Sequence, residues 1–261
     1  MTVAPDDATP GATPSGEGRW RFRLWAPDAH HVELLLDGQV HAMAPAGDGD
    51  FTLEAGAPEG APYRFRVHLA DGTAADVPDP ASRWQPQGVH GPSALLGRDG
   101  YRWQHRQWAG RPWNEAVICE LHVGTCGGYA GVRAQLPRLA ALGFTAIELM
   151  PLAQLPGTRN WGYDGVLPYA PAQAYGTPDE LKALVDEAHG LGLMVLLDVV
   201  YNHFGPQGNL LDTYASAFFK RDAPTPWGEA IDFTQPQVKR FFVDNALMWL
   251  QEYRFDGLRL D

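Results

Sequence analysis

From residue 117 to residue 261, short continuous apolar runs alternate with amphipathic helical segments, and that alternation confines this part of the chain to a parallel α/β architecture. Val117-Ile118-Cys119-Glu120-Leu121-His122-Val123 is the first strand candidate. Apolar residues then recur at helical spacing (Val132, Leu136, Leu139, Leu142) until Gly143 stops the pattern. Thr145 to Met150 reads as a second buried strand. Thr177-Pro178-Asp179-Glu180 is a capping box with proline at the first helical position, and it opens a helix ending near Gly190 to Gly192. Leu193 to Val200 is apolar enough for a strand covered on both faces. Val238 to Tyr253 forms another amphipathic helix, and Phe255 to Leu260 a fourth strand. A (β/α)8 TIM barrel takes eight strands and about 250 residues, so 117–261 reads as its first half, truncated after the fourth strand. The segment 204–233, after the third strand, is too long for an ordinary βα connection and is expected to be an irregular excursion over the strand ends.

The preceding residues follow a different rule. Residues 1–18 are Pro, Gly, Thr, Ser and Asp with almost no large apolar side chain, which predicts a disordered lead-in. Trp20-Arg21-Phe22-Arg23-Leu24-Trp25, Val32-Glu33-Leu34-Leu35-Leu36 and Tyr63-Arg64-Phe65-Arg66-Val67-His68-Leu69 are short alternating runs separated by Gly, Asp and Pro. They predict an all-β sandwich over 19–100, joined by a linker over 101–116.

Composition excludes several classes of function. With 45% apolar and 20% charged residues among 261, the chain can bury a sizeable core. A net charge of −11 argues against a nucleic-acid partner and suits a neutral or cationic small molecule. No window approaches the roughly 18 uninterrupted apolar residues of a membrane span, and the first residues lack the basic and apolar regions of a secretory signal. Cys119 and Cys126 are too few for a disulfide framework or a closed zinc site. A cytoplasmic protein with reduced thiols and no membrane partner is expected.

Active sites of parallel α/β folds gather at the carboxyl ends of the strands, and here those ends are polar. The third strand runs Leu196-Leu197-Asp198-Val199-Val200-Tyr201-Asn202-His203, with Asp198, Asn202 and His203 at or just beyond its top. In Phe255-Asp256-Gly257-Leu258-Arg259-Leu260-Asp261, period-two alternation puts Gly257, Arg259 and Asp261 on one face. An arginine and an aspartate on the inner face of a barrel are expensive unless paired, so they form either a structural pair or part of a site.

Asp-Val-Val-Tyr-Asn-His followed by Phe-Asp-Gly-Leu-Arg-Leu-Asp resembles the first two signature regions of the α-amylase superfamily of glycoside hydrolases. Asn160-Trp161-Gly162-Tyr163-Asp164-Gly165 fits the same superfamily. The longer stretch from Glu148 to Gly165, the segment from Asp79 to Ser93, and Thr225-Pro226-Trp227-Gly228 are similar to the malto-oligosyltrehalose trehalohydrolases within it. Glycogen-branching enzymes share the plan of a sandwich followed by a barrel. The resemblance runs from about residue 20 to residue 261 and likens the sandwich to an early-set, glycogen-binding-like module.

Carried over position by position, the resemblance implies a retaining α-glucan hydrolase that cleaves the α-1,4 bond next to the trehalose of a malto-oligosyltrehalose. Asp261 would be the nucleophile and Arg259 would orient it. His203 would hydrogen-bond the sugar, Tyr163 would stack on it, and Asp198 and Asn202 would organise the site, while Asp164 either touches sugar hydroxyls or caps its loop. Some amylases bind calcium at the position of Asn202; without a visible acidic cluster beside it, neither a metal nor another cofactor is expected. His122 either lines the floor or is a satisfied core histidine, Glu148 reads as a buried hydrogen-bonded carboxylate, and Asp256 as structural. Trp84, Trp161 and Trp227 are sugar platforms or packing residues. The superfamily's acid/base glutamate follows a fifth strand that this sequence does not contain, so the chain alone is expected to be inactive. The alternatives are a branching-type transferase and a non-catalytic carbohydrate-binding protein.

Overall fold

The computed structural model describes residues 9–98 and 100–261. Among the described residues, nine strands precede residue 100: β1 (Gly11–Gly16), β2 (Arg19–Trp25), β3 (Ala29–Leu36), β4 (Gln39–Ala42), β5 (Ala44–Gly47), β6 (Asp50–Gly56), β7 (Pro62–Leu69), β8 (Ala74–Val77) and β9 (Ser93–Ala94). They form two antiparallel sheets, β1-β2-β6-β5 and β4-β3-β7-β8, with β9 added to β7. Strict alternation drives this arrangement. Trp20, Phe22 and Leu24 of β2 are buried, as are Val32, Leu34 and Leu36 of β3 and Tyr63, Phe65 and Val67 of β7. The charged residues between them point outward, and Phe22 meets Tyr63 edge-on at 5.3 Å between the sheets.

The expected disordered lead-in over 1–18 is corrected where the chain is described. Residues 11–16 are β1, antiparallel to β2 in the register Gly11↔Arg23 and Thr13↔Arg21. Small residues carry no alternating pattern, so this strand is specified from outside: Ala12 N donates to Asp79 Oδ2 at 3.2 Å. Gly11 has φ +80°, and a Cβ there would lie 2.9 Å from Asp79 Oδ2, which only glycine avoids. Residues 1–8 lie outside the described residues.

The second half contains β10 (Ile118–Leu121), α1 (Gly128–Ala141), β11 (Ala146–Leu149), β12 (Ala153–Gln154), β13 (Leu167–Pro171), α2 (Pro178–Gly190), β14 (Met194–Val199), α3 (Leu211–Tyr214), β15 (Phe219–Thr225), β16 (Gly228–Ile231), α4 (Pro236–Gln251) and β17 (Gly257–Leu260). Strands β10, β11, β14 and β17 are adjacent and parallel in that order, fitting part of a barrel. The capping box forms as read: Thr177 Oγ1 accepts from Glu180 N at 3.2 Å, and Glu180 Oε2 accepts from Thr177 N at 2.7 Å. All six residues of β14 are buried. The 204–233 segment is less irregular than expected, because α3 and the antiparallel pair β15–β16 lie within it. Its short runs are stabilised by ring packing, Phe204 and Phe218 meeting at 5.7 Å and Phe218 and Phe241 at 5.4 Å.

Sandwich and barrel strands share a continuous core. Asp28 links the two through its backbone N–H to Tyr214 O (3.1 Å) and its carboxylate to Ser216 N (2.6 Å). The connecting residues are strapped down as well: Tyr101 OH, Gln104 N and His105 N all donate to the Asp186 carboxylate, at 3.1, 2.7 and 2.9 Å. Asp256 is structural, accepting from Trp108 Nε1 (2.6 Å), Val195 N (2.7 Å) and His189 Nε2 (3.0 Å).

Candidate active site

Parallel pairing in register builds the site. Asp198 of β14 lies directly beside Arg259 of β17, and Glu148 of β11 directly beside Glu120 of β10. Alternation then sends Glu120, Glu148, Asp198 and Arg259 to the face of the sheet away from the helices. Arg259 Nη1 donates to Asp198 Oδ2 at 2.7 Å and to Asp261 Oδ1 at 2.6 Å. Tyr163 reaches the same carboxylate, its OH donating to Asp198 Oδ2 at 2.8 Å.

Asp198 is fully buried while Arg259 is about half exposed, so a guanidinium with access to water anchors a carboxylate without it. Burial raises the Asp198 pKa; the Tyr163 hydroxyl and Arg259 charge oppose the rise, and Asp261 reinforces it. Its Oδ1 has no hydrogen-bond partner among the described residues. Burial, followed by the hydrogen bond to Asp198, pushes Tyr163 up to about 12, so it stays a neutral donor at physiological pH.

The loop carrying Tyr163 depends on Gly162, whose φ is +99° and where a Cβ would collide with Pro151 O. Asn202 sits between the strand ends: its Nδ2 donates to the Asp261 carbonyl at 3.4 Å, and its Oδ1 accepts from His203 Nδ1 at 2.5 Å. That engagement leaves the Asn202 side chain poorly suited to a cation. The largely buried His203 ring lies 5.9 Å from the exposed ring of Trp227. Asp164 is exposed and is not drawn into the cluster by any hydrogen bond among the described residues. Six of the seven expected site residues therefore converge, and Asp164 remains at the rim.

Two inner-face acids extend the site beyond the expected set. Glu120, Glu148 and Asp198 each place a carboxylate oxygen within 4.8 Å of the others. Glu148 was expected to be buried and hydrogen-bonded; instead it is half-buried, and its carboxylate makes no hydrogen bond among the described residues. Its pKa is raised by burial and then by Glu120 and Asp198, with Arg259 opposing. Period-two reading of each strand would put Glu120 and Glu148 on inner faces, but their adjacency needs the register. His122 has a fixed tautomer: Nδ1 accepts from Thr125 N at 3.0 Å, so Nε2 donates to Asn160 O at 2.7 Å. It thereby holds the start of the Tyr163 loop. Trp161 is exposed at the same rim.

Known proteins match this chain over most of its length. The model of the alpha amylase catalytic domain matches residues 62–227, and that of carbohydrate-binding module 48, the isoamylase N-terminal domain, matches residues 10–82. A malto-oligosyltrehalose trehalohydrolase of Deinococcus radiodurans is 45% identical over 96% of this chain, which spans 42% of that relative. A 1,4-alpha-glucan branching enzyme of Mycobacterium bovis is 35% identical over 92% of this chain, with 36% of the relative covered. Among solved structures, a Salmonella typhimurium chain bearing the provisional label alpha amylase superposes with a TM-score of 0.92 at 48% identity, covering 97% of this chain and 43% of that one. This chain thus spans about two-fifths of the length of these proteins. No helix among the described residues is long and apolar enough to cross a membrane.

Proposed function

The chain belongs to the α-amylase family, and we propose that it carries the nucleophile-bearing half of a retaining α-glucan hydrolase, one that releases trehalose from malto-oligosyltrehalose by cleaving the adjacent α-1,4 bond. The observation that supports this most directly is the Arg259 guanidinium shared by Asp198 and Asp261 at the carboxyl ends of neighbouring strands. In this reading an Asp261 carboxylate oxygen attacks the anomeric carbon. A glycosyl ester forms as the bond to the leaving oxygen breaks, and water later opens the ester with retention. Arg259 holds Asp261 in line while Asp198, itself fixed by Tyr163, holds Arg259. The Tyr163 ring packs on the sugar, His203 hydrogen-bonds its hydroxyls from a ring steadied by Asn202, and Asp164 contacts it from the rim. Carboxylates outnumber the one guanidinium in this cluster, an excess that suits the positive charge of an oxocarbenium-like transition state. Neither step calls for a cofactor.

Retention needs a second carboxyl about 5–5.5 Å from the first. Asp198 is a poor candidate, being buried with Oδ2 already accepting from Tyr163 and Arg259. Glu148 pairs two residues below Asp198 in register, roughly 7 Å deeper along the strand. As the resemblance to the superfamily implies, the acid/base glutamate would follow a further barrel strand, and in this reading the 261-residue chain alone releases no trehalose. General-acid help is worth about 10²–10⁴-fold, so extension through further barrel strands is expected to bring activity with it. The test is trehalose measured by chromatography from maltotriosyltrehalose. The extended protein should release it, and its Asp261→Asn variant should lose nearly all turnover while still binding substrate. Near-normal turnover in that variant would remove Asp261 from its role. The similarity to a branching enzyme supports a second reading, transfer to a sugar hydroxyl in place of water; branched products from amylose without trehalose release would select it.

A further inference from the structure

We propose that the outer face of the β-sandwich binds a divalent transition-metal cation of the zinc type through His31 and Glu33 of β3 and His68 of β7. This inference is independent of the hydrolase reading, since none of the three residues belongs to the strand-end cluster. His31 and Glu33 are two residues apart on one strand and share a face. His31 lies directly opposite His68 in the β3/β7 ladder, which puts Glu33 on the diagonal. His68 Nε2 is 2.9 Å from Glu33 Oε2, and His31 Nε2 is 3.8 Å from Glu33 Oε1. All three ligand atoms lie within 4.8 Å of one another. Metal bonds of about 2.0–2.2 Å in tetrahedral geometry keep neighbouring ligand atoms roughly 3.3 Å apart. The observed separations bracket that value, so modest side-chain rotation closes the set.

The donor chemistry selects the ion. Two imidazole nitrogens and one carboxylate suit zinc, copper or nickel, whereas calcium takes six to eight oxygens and magnesium an octahedron of them. The ladder supplies a further histidine. Pairing shifts between Ala29↔Leu69 and His31↔His68, leaving His30 as an extra residue in a bulge, a feature that re-aims side chains. The His30 and His31 rings lie 6.3 and 5.2 Å from that of His68, so three of the chain's nine histidines meet here. His30 or a water completes the coordination.

The charged neighbours leave room for a cation. Arg66 stands across from Glu33, but its Nε and Nη2 donate to Asp76 at 2.6 and 3.0 Å, so its charge is compensated. The backbone is well anchored, because Val32 and Leu34 on β3 and Phe65 and Val67 on β7 alternate with these residues and are fully buried in the core.

The test is isothermal titration of zinc chloride alone into the full chain without a histidine tag, at about pH 7.5, above the ordinary imidazole range. One site is expected, with zinc bound at least about tenfold more tightly than calcium, and a loss of about 10–100-fold in His68→Ala. Because alanine could disturb the strand, a His31→Gln/His68→Gln variant with matching circular dichroism is the second arm. It should lose zinc binding and the visible absorption of tetrahedral cobalt(II). Zinc binding that persists unchanged in this folded variant, calcium binding of equal strength, or no zinc binding at all would each overturn the proposal.

Discussion

Replacing Glu252 by leucine should unseat the sandwich from the barrel strands, and the surrounding charges indicate by how much. Arg83, in the segment between β8 and β9, donates from Nη1 to both Glu252 oxygens at 2.9 Å. Arg98 Nε lies 3.3 Å from the same carboxylate, and the Arg83 guanidinium stands 5.1 Å from the centre of the Tyr169 ring. Side-chain exposures are only 8% for Arg83, 19% for Arg98 and 18% for Glu252, so water can do little to compensate a loss. Removing one partner of a buried pair costs about 3–5 kcal/mol, and the residual exposure here points to the lower end, about 3 kcal/mol. Arg83→Met is a different perturbation, because it deletes the most buried charge and leaves Glu252 with Arg98. Its cost is about 1 kcal/mol of lost hydrogen bonding plus about 0.5–2 kcal/mol of lost stacking on Tyr169. Glu252→Leu should therefore exceed Arg83→Met by about 1 kcal/mol, and the double variant should cost less than the sum of the two. Urea unfolding followed by tryptophan fluorescence, with midpoints converted through a shared slope, measures all three. Equal or reversed single-variant costs, or strict additivity, would refute the asymmetry argued from Arg98.

Stability should also fall as pH rises through the range set by Asp79. Burial pushes its carboxyl up to about 6 despite hydrogen bonds from Tyr63, Ala81 and Ala12. A raised folded-state pKa means that the folded chain holds the proton more tightly; the stabilisation is full below the ordinary carboxylate value and is lost on approaching about pH 6. The shift corresponds to roughly 3 kcal/mol, and urea midpoints between about pH 4 and pH 7 should lose much of this slope in Asp79→Asn. Gly162→Ala should cost at least about 1–2 kcal/mol for a left-handed alanine, more if Pro151 cannot yield, and in an extended enzyme should lower turnover by displacing Tyr163 from Asp198. Matched urea curves and trehalose release would measure both effects, and an unchanged midpoint would contradict the first.

Some of these features could be read in the sequence because one local pattern decides them. Thr177-Pro178-Asp179-Glu180 specifies its own two capping bonds, and Leu193 to Val200 can be little else than a strand covered on both faces. Other features depend on partners far along the chain. Strand β1 is small residues whose burial is arranged by Asp79, 67 residues after Ala12. The same holds in the site, where alternation groups Arg259 with Asp261, yet nothing local brings in Asp198, 61 residues earlier. Its position follows from the register Asp198↔Arg259, a property of how β17 docks on β14. Glu120 and Glu148 each read as a lone acid in an apolar strand, and only in-register parallel pairing puts them side by side. That pairing has a chemical consequence which neither strand contains alone. Burial raises both Glu148 and Asp198 toward protonation; Glu120 and Asp198 add to the rise at Glu148 and Asp261 to that at Asp198, while Arg259 is the nearby cation opposing both shifts. Removing Arg259 would therefore do more than release Asp261: it would shift the charge balance of the whole inner face, which is why its effect on catalysis should exceed that of losing the Tyr163 hydroxyl from the same carboxylate.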